Sequence, residues 1–134
     1  MTYYAKGANA ERELIHILYE KGFSVVRAAG SASTALPCPD IIALNKDKKL
    51  AFECKAWSAS HLSIPLEQMK ELISWGERAG TETYVAWKIP NKGWLFLKPQ
   101  AFNKTPKHYI ISRTKAFTKS LNLTVITGQQ AVLK

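Results

Sequence analysis

Cysteine and long apolar runs are both scarce in this sequence. The two cysteines, Cys38 and Cys54, do not have CxxC spacing, and the histidines His16, His61 and His108 are too scattered to indicate a zinc site. No stretch approaches the roughly 18 consecutive apolar residues of a membrane span, and the opening MTYYAKGANAERE lacks the apolar centre of a signal peptide. We therefore expect a reduced cytoplasmic protein with no membrane segment.

Acidic residues are absent from residues 83–134, although nine lysines and arginines lie there. Residues 1–82 hold ten basic and ten acidic residues, so the later part of the chain carries the whole formal net charge of +9. One-sided positive charge of this kind favours a polyanionic partner. The alternative is a basic, solvated surface that only keeps the protein soluble, because the cations from Lys88 to Lys134 form no dense cluster.

The pattern of apolar residues predicts one α/β or α+β domain over residues 1–134 with a central mixed sheet. ANAERELIHILYEKGF predicts a first helix that stops at Gly22, because its apolar residues recur at helical spacing. The segments FSVVRAAG, DIIAL, KLAFECKAW, TYVAWKI and GWLFL predict strands. The sequence after residue 103 mixes basic and β-branched residues and predicts no clear element.

A second helix is predicted from Pro65 to Gly80, where proline suits the first helical position. Its apolar residues, among them Met69, Leu72 and Trp75, cover about half of the helix circumference, which is wider than a single core contact needs. The excess predicts a second buried contact, such as a dimer interface with a twin subunit. A larger single core is the alternative.

The hairpin CPDIIALNKDKKLAFECKAW places two carboxylates opposite each other. If its turn is centred between Lys46 and Asp47, Asp40 faces Glu53, and alternation puts Lys55 on the same face as both. Like charges that oppose each other at about 5 Å destabilise a sheet unless something compensates them. A divalent cation would do so, and paired carboxylate oxygens suit Mg²⁺ better than zinc.

Further charged side chains are expected near this pair. Glu11, at the rim of the first helix's buried face, offers a third carboxylate, and Lys55 would orient or help to deprotonate a water on the metal. Arg27 ends an apolar strand and would clamp a phosphate, or alternatively pair with a nearby glutamate. An ordinary charged, solvent-exposed sheet face remains the alternative from these residues alone.

Together, KGANAERELIHIL, VVRAAGS, PDIIAL and FECKAW resemble the archaeal Holliday-junction resolvases, members of the PD-(D/E)xK nuclease superfamily. The resemblance implies a restriction endonuclease-like fold, with a central mixed five-stranded β-sheet flanked by helices, in a single nuclease domain. It implies a catalytic set, a metal-ligand set within it, and a DNA-binding set. These are Glu11, Asp40, Glu53, Lys55 and Ser31 for catalysis, Glu11, Asp40 and Glu53 for the metal, and Lys6, Arg12, Arg27 and Ser31 for DNA.

The resemblance also implies the reaction. The protein would be a nucleoid-associated homodimer that binds a four-way DNA junction and makes paired cuts in recombination and repair. Mg²⁺ would be its cofactor, with Mn²⁺ as a substitute and no small-molecule cofactor. Two alternatives stay open at this point: a nuclease of the same superfamily that acts on duplex or flap DNA, and a junction-binding module without catalytic activity.

Overall fold

The computed structural model describes residues 3–28 and 36–128, with side chains in the first helix described from Gly7 onward. The helices are α1 (Tyr3–Glu20), α2 (Leu66–Ala79), α3 (Arg113–Lys119) and α4 (Leu123–Ile126), with a short 3₁₀ helix at Pro99–Ala101. The strands are β1 (Ser24–Arg27), β2 (Ile41–Leu44), β3 (Lys49–Ala56), β4 (His61–Pro65), β5 (Glu82–Ile89), β6 (Gly93–Leu97), β7 (Asn103–Lys104) and β8 (His108–Ser112).

The central sheet has five strands in the order β1-β2-β3-β5-β6. Strands β3 and β5 run parallel and the other neighbours are antiparallel, so the predicted mixed five-stranded sheet is confirmed. Because parallel strands need a crossover connection, the chain passes through β4 and α2 between them. A second sheet, in the order β4-β8-β7, was not predicted and accounts for part of the unassigned region after residue 103.

Two apolar layers cover the two faces of the central sheet. Tyr84 and Ala86 of β5 pack in one layer with α1, whereas Val85 and Trp87 pack in the other with α2, β4 and β8. This division follows from the period of two along a strand. The sheet is therefore buried on both sides, with α1 on one face and α2 with the second sheet on the other. Within the described residues, no helix combines the length and apolarity needed to cross a membrane.

The wide apolar face of α2 serves this second layer. Met69 is 0% exposed and Leu72 is 5% exposed, and both belong to the core of the chain itself. Side chains this deeply buried leave little surface for a partner, so the structure favours the larger single core at these two positions, and a part for Met69 and Leu72 in a dimer contact stays a prediction that it does not support. Trp75 is only half-buried, and its part in a dimer interface stays a prediction.

The hairpin of β2 and β3 has the predicted register. Ile41 pairs with Phe52, and Leu44 pairs with Lys49. The turn between them is held by the side chain of Asn45, which accepts hydrogen bonds from the backbone N–H groups of Asp47 and Lys48 at 2.8 and 2.7 Å. When this register is continued by one residue, Asp40 lies opposite Glu53.

Candidate active site

Asp40 and Glu53 meet at the end of the β2–β3 hairpin. Asp40 directly precedes β2, and its Oδ2 accepts a hydrogen bond from the backbone N–H of Cys54 at 2.8 Å. Both carboxylates line a depression of about 270 Å³ between the segment before β2 and the first turns of α2. The predicted opposition of the two acids is therefore present, and a backbone donor holds Asp40 against β3.

Burial and mutual repulsion set the charge of this pair. Burial raises the pKa of Glu53 to about 7, and the negative charge of Asp40 adds to the shift, whereas Lys55 and Gln68 oppose it. Burial also raises the pKa of Asp40, although the Cys54 N–H bond lowers it. The negative charges of these two carboxylates have lost part of their hydration and are only partly balanced by groups of the protein. A cation bound between them would therefore be favourable.

Gln68, in the first turn of α2, connects the two charged residues of β3. Its Nε2 donates to Glu53 Oε2 at 2.9 Å, and its Oε1 accepts from Lys55 Nζ at 3.3 Å. No sequence motif pointed to Gln68 as a site residue. The available signal was indirect: Glu53 and Lys55 share one face of β3, and the next helix must cross that face to reach β5.

Lys55 has a second neighbour on the same strand end. Its Nζ lies 5.7 Å from the centroid of the Trp57 ring, within the range of a cation–π contact. The indole of Trp87 in turn donates to the backbone carbonyl of Trp57 at 3.0 Å, which ties this segment to β5. The ammonium group is thus held between an amide oxygen and an aromatic face, beside the carboxylates.

Glu11 and Arg27 form an ion pair at the edge of the site. Arg27 Nε donates to Glu11 Oε1 at 2.8 Å, with 28% and 18% of the two side chains exposed. The sequence left two roles open for Arg27, a phosphate contact or a pair with a glutamate, and in the structure Arg27 pairs with Glu11. Besides burial, the charge of Glu11 raises the pKa of both Asp40 and Glu53, so the acid acts on the site.

The three acids do not form a ready-made metal site. Across residues 3–28 and 36–128, no three histidine, cysteine, aspartate or glutamate side chains are arranged to hold a metal ion. Glu11 is turned to Arg27 and Glu53 to Gln68, so each has a protein partner instead. Ligation by all three carboxylates stays a prediction, and Asp40 with Glu53 is the pair that the fold brings together.

Of the other predicted DNA-binding residues, the structure describes the side chain of Arg12 but not those of Lys6 and Ser31. Arg12 is exposed on α1, where its guanidinium donates to Asn9 Oδ1 at 3.2 Å. Lys6 lies in α1, but its side chain is outside the described part. Ser31 falls outside the described residues altogether, so its catalytic and DNA-binding roles stay predictions.

The chain is similar to known proteins of one family. The model of the family described as archaeal Holliday junction resolvase (Hjc) matches residues 2–132. A protein of Methanocaldococcus jannaschii named crossover junction endodeoxyribonuclease Hjc is 37% identical over 128 residues, or 95% of this chain and 92% of that protein. The protein of the same name from Archaeoglobus fulgidus is 33% identical over 125 residues, or 93% and 91% of the two chains.

The fold is shared as well as the sequence. The solved structure of Archaeoglobus fulgidus Hjc, described as a Holliday junction resolvase from an archaeal hyperthermophile, superposes with a TM-score of 0.83 at 31% identity. The match covers 95% of this chain and 99% of that chain. The restriction endonuclease-like fold that the resemblance implied is therefore confirmed.

Proposed function

The chain belongs to the archaeal Holliday junction resolvase family, and we propose that it is an endodeoxyribonuclease that resolves four-way DNA junctions. Its relatives are named for this activity. The excess of positive charge over residues 83–134 suits a polyanionic substrate of this kind. It would act on DNA inside the cell, during homologous recombination and repair.

The observation that carries the proposal is the Asp40–Glu53 pair with Lys55 beside it. Two carboxylates on adjoining strand ends, with an ammonium group on the same face, are the groups needed for hydrolysis of a phosphodiester. Both acids have raised pKa values because burial removes water from them. Two buried acids placed side by side only for structural reasons would lower the stability of the fold. The same placement favours the binding of a cation.

We propose Mg²⁺ as the cofactor, with Mn²⁺ as a substitute. The hard oxygen donors of Asp40 and Glu53 fit such an ion, and Glu11 would join them after leaving Arg27. When bound, the ion would supply a Lewis acid that activates water and stabilises the leaving oxygen. Gln68 would retain its bond to Glu53 and keep that carboxylate directed towards Asp40.

The remaining side chains would bind and orient the DNA. Lys55 would place its charge beside the phosphate as negative charge develops on the phosphate oxygens. Arg27 and Arg12, with Lys6 on the same helix as Arg12, would contact flanking phosphates, because guanidinium groups match phosphate geometry. Ser31 would join them from the segment that follows β1.

We further propose that the active form is a homodimer. A four-way junction has approximate two-fold symmetry, so a symmetric dimer would present two equivalent active sites to two strands of like polarity. Trp75 is the remaining apolar candidate for the interface on α2, because it is half-buried and borders the groove formed with Leu36 and Pro37.

Competition among DNA substrates tests the proposal directly. The chain is incubated with Mg²⁺ and equal amounts of labelled four-way junction, linear duplex and flap DNA. We expect preferential, paired nicks in the junction, and no cutting by Glu53→Ala although it still binds the junction. Equal cutting of duplex and junction would indicate a different nuclease of this superfamily. Binding without cutting by the unmodified chain would indicate a junction-binding module.

A further inference from the structure

A basic depression lies beyond the carboxyl ends of β3 and β5. These strands run parallel with Ala56 beside Lys88, so the segment after Ala56 and the turn after Ile89 emerge at one edge of the sheet. The backbone N–H of Arg113 donates to Ser60 O at 2.8 Å and joins the start of α3 to the same edge. The lining of the depression includes Ser58, Ser60, Lys92, Arg113, Thr114 and Phe117.

The cations of this depression have no acidic partner in the described structure. Within residues 3–28 and 36–128, the cations of the ion pairs are Arg27, Lys48 and Lys88, and neither Lys92 nor Arg113 is among them. Both cations belong to residues 83–134, which contain no aspartate or glutamate. Two cations at a concave surface, without neutralisation, concentrate positive potential and attract a polyanion.

The neighbouring groups suit a nucleic-acid backbone. Hydroxyl groups of Ser58, Ser60 and Thr114 are of the type that donates to phosphate oxygens in protein–DNA complexes. Phe117 is 45% exposed and lies one helical turn after Arg113, on the same side of α3. Ser58, Ser60 and Lys92 are exposed, so the depression lies open, as a long backbone requires, and does not enclose a small ligand.

The depression lies close to the proposed chemistry. Ser58 follows Lys55 by three residues, so their Cα atoms are separated by at most about 11 Å. At 3.4 Å of rise per nucleotide along the helix axis, this upper limit corresponds to about three base pairs, so the nearest edge of the depression lies within a few nucleotides of Lys55. Lys55 lies on the side of the sheet that faces α2 and the second sheet, since it is in register with the buried Trp87 of that layer. The helix α3, which carries Arg113, packs into the same layer through Ala116.

We propose that Lys92 and Arg113 form a second phosphate-contact surface, which holds the duplex arm of the substrate beside the active site. The proposal rests on the proposed function, because it assumes that DNA is cut at Glu53 and Lys55. It assigns a role to part of the basic stretch that the motifs of the active site leave unexplained. The surface would recognise the charge and position of the DNA backbone and not the base sequence.

Salt-dependent binding of a labelled junction tests this surface. Binding is measured with Ca²⁺ in place of Mg²⁺, for the wild-type chain and for Lys92→Gln with Arg113→Gln together. Each lost phosphate contact is expected to reduce the slope of log K against log salt by about 0.9, and the pair by roughly 2. At moderate salt the double variant is expected to bind the junction at least tenfold more weakly than the wild type.

A matched control removes the same charge elsewhere, at one residue of α3 and one residue before the 3₁₀ helix. Lys98 and Lys119 are exposed and line a different depression, across the helix from Phe117. Lys98→Gln with Lys119→Gln should change the slope much less. Lys92→Gln alone, in an exposed turn where folding is not at risk, should produce about half of the full effect. These results would support the surface.

Three outcomes would overturn it. The first is equal weakening by the test and control pairs, which would mean a general effect of net charge. The second is an unchanged salt slope in Lys92→Gln and in the folded double variant, while the wild type binds and cuts the junction; the inference would then fail and the proposed function would stand. The third is a wild-type chain that neither binds nor cuts the junction, which would remove the proposed function and this surface together.

Discussion

Gln68 Nε2 lies 2.9 Å from Glu53 Oε2 and donates a hydrogen bond to it, while the other end of the same amide accepts from Lys55. One uncharged side chain therefore links the carboxylate and the ammonium group of the active-site strand. The amide sits in the first turn of α2, which is anchored by the core residues Met69 and Leu72. The position of Glu53 thus depends on how α2 packs.

Replacement of Gln68 by alanine is expected to slow cleavage without weakening DNA binding. Partners that orient a metal-binding carboxylate typically contribute 10- to 100-fold in affinity or activity. We expect a single-turnover rate that is roughly 10- to 100-fold lower, a higher Mg²⁺ requirement, and a junction dissociation constant within about twofold of wild type. Glu67→Ala, which changes the exposed neighbour in the same turn, is the control. A normal rate in Gln68→Ala would exclude a positioning role.

Replacement of Glu53 by glutamine is expected to stabilise the metal-free protein while it removes cleavage. The pKa of Glu53 rises from an ordinary 4.5 to about 7 on folding. Between these values the folded state binds more protons than the unfolded state, so the free energy of unfolding falls as pH rises through the window. Glutamine has no such titration, so its advantage should grow to on the order of 1 to 3 kcal/mol at pH 8.

Urea unfolding at pH 5 and pH 8 in a metal chelator measures this effect. Glu77→Gln makes the same chemical change at an exposed position of α2 and serves as the control. An advantage of Glu53→Gln that is as large at pH 5 as at pH 8 would show that burial and repulsion do not act on the charged form of Glu53.

The Glu11–Arg27 pair is expected to couple α1 to the edge strand of the sheet. A double-mutant cycle of Glu11→Gln and Arg27→Gln in urea unfolding should yield a coupling energy of about 1 kcal/mol, because the pair is partly buried. The Lys48–Glu82 pair has a glutamate that is 47% exposed, and the same cycle there should yield less than about 0.5 kcal/mol. Coupling of Glu11 and Arg27 no larger than that of the control would contradict the contact.

Met69 and Trp75 are expected to affect different properties, although both lie on α2. Met69→Ala should lower the free energy of unfolding by roughly 2 to 5 kcal/mol, because it opens a cavity in a fully buried position. Trp75→Ala should instead shift the monomer–dimer equilibrium towards monomer, as measured by sedimentation over a range of concentrations. An unchanged equilibrium in Trp75→Ala would place the dimer contact elsewhere.

The strand register and the helix stop were predictable because both depend on local chemistry. Asn45 caps the hairpin turn through its own side chain, and alternation assigns Ile41 and Phe52 to the buried face. Gly80 ends α2 in the left-handed conformation with φ of 72°, and its N–H donates to Gly76 O at 2.8 Å. Neighbours within a few residues decide such features, and the sequence displays those neighbours directly.

The sequence by itself determined the opposition of Asp40 and Glu53, because a period of two and a short turn leave one favourable register. Only the tertiary structure decided that Gln68 bridges Glu53 and Lys55, that Glu11 is held by Arg27, and that Met69 belongs to the core. The Gln68 and Arg27 contacts join residues 13 to 16 positions apart. The packing of a helix on a sheet brings such residues together, and packing depends on the shape of the whole core.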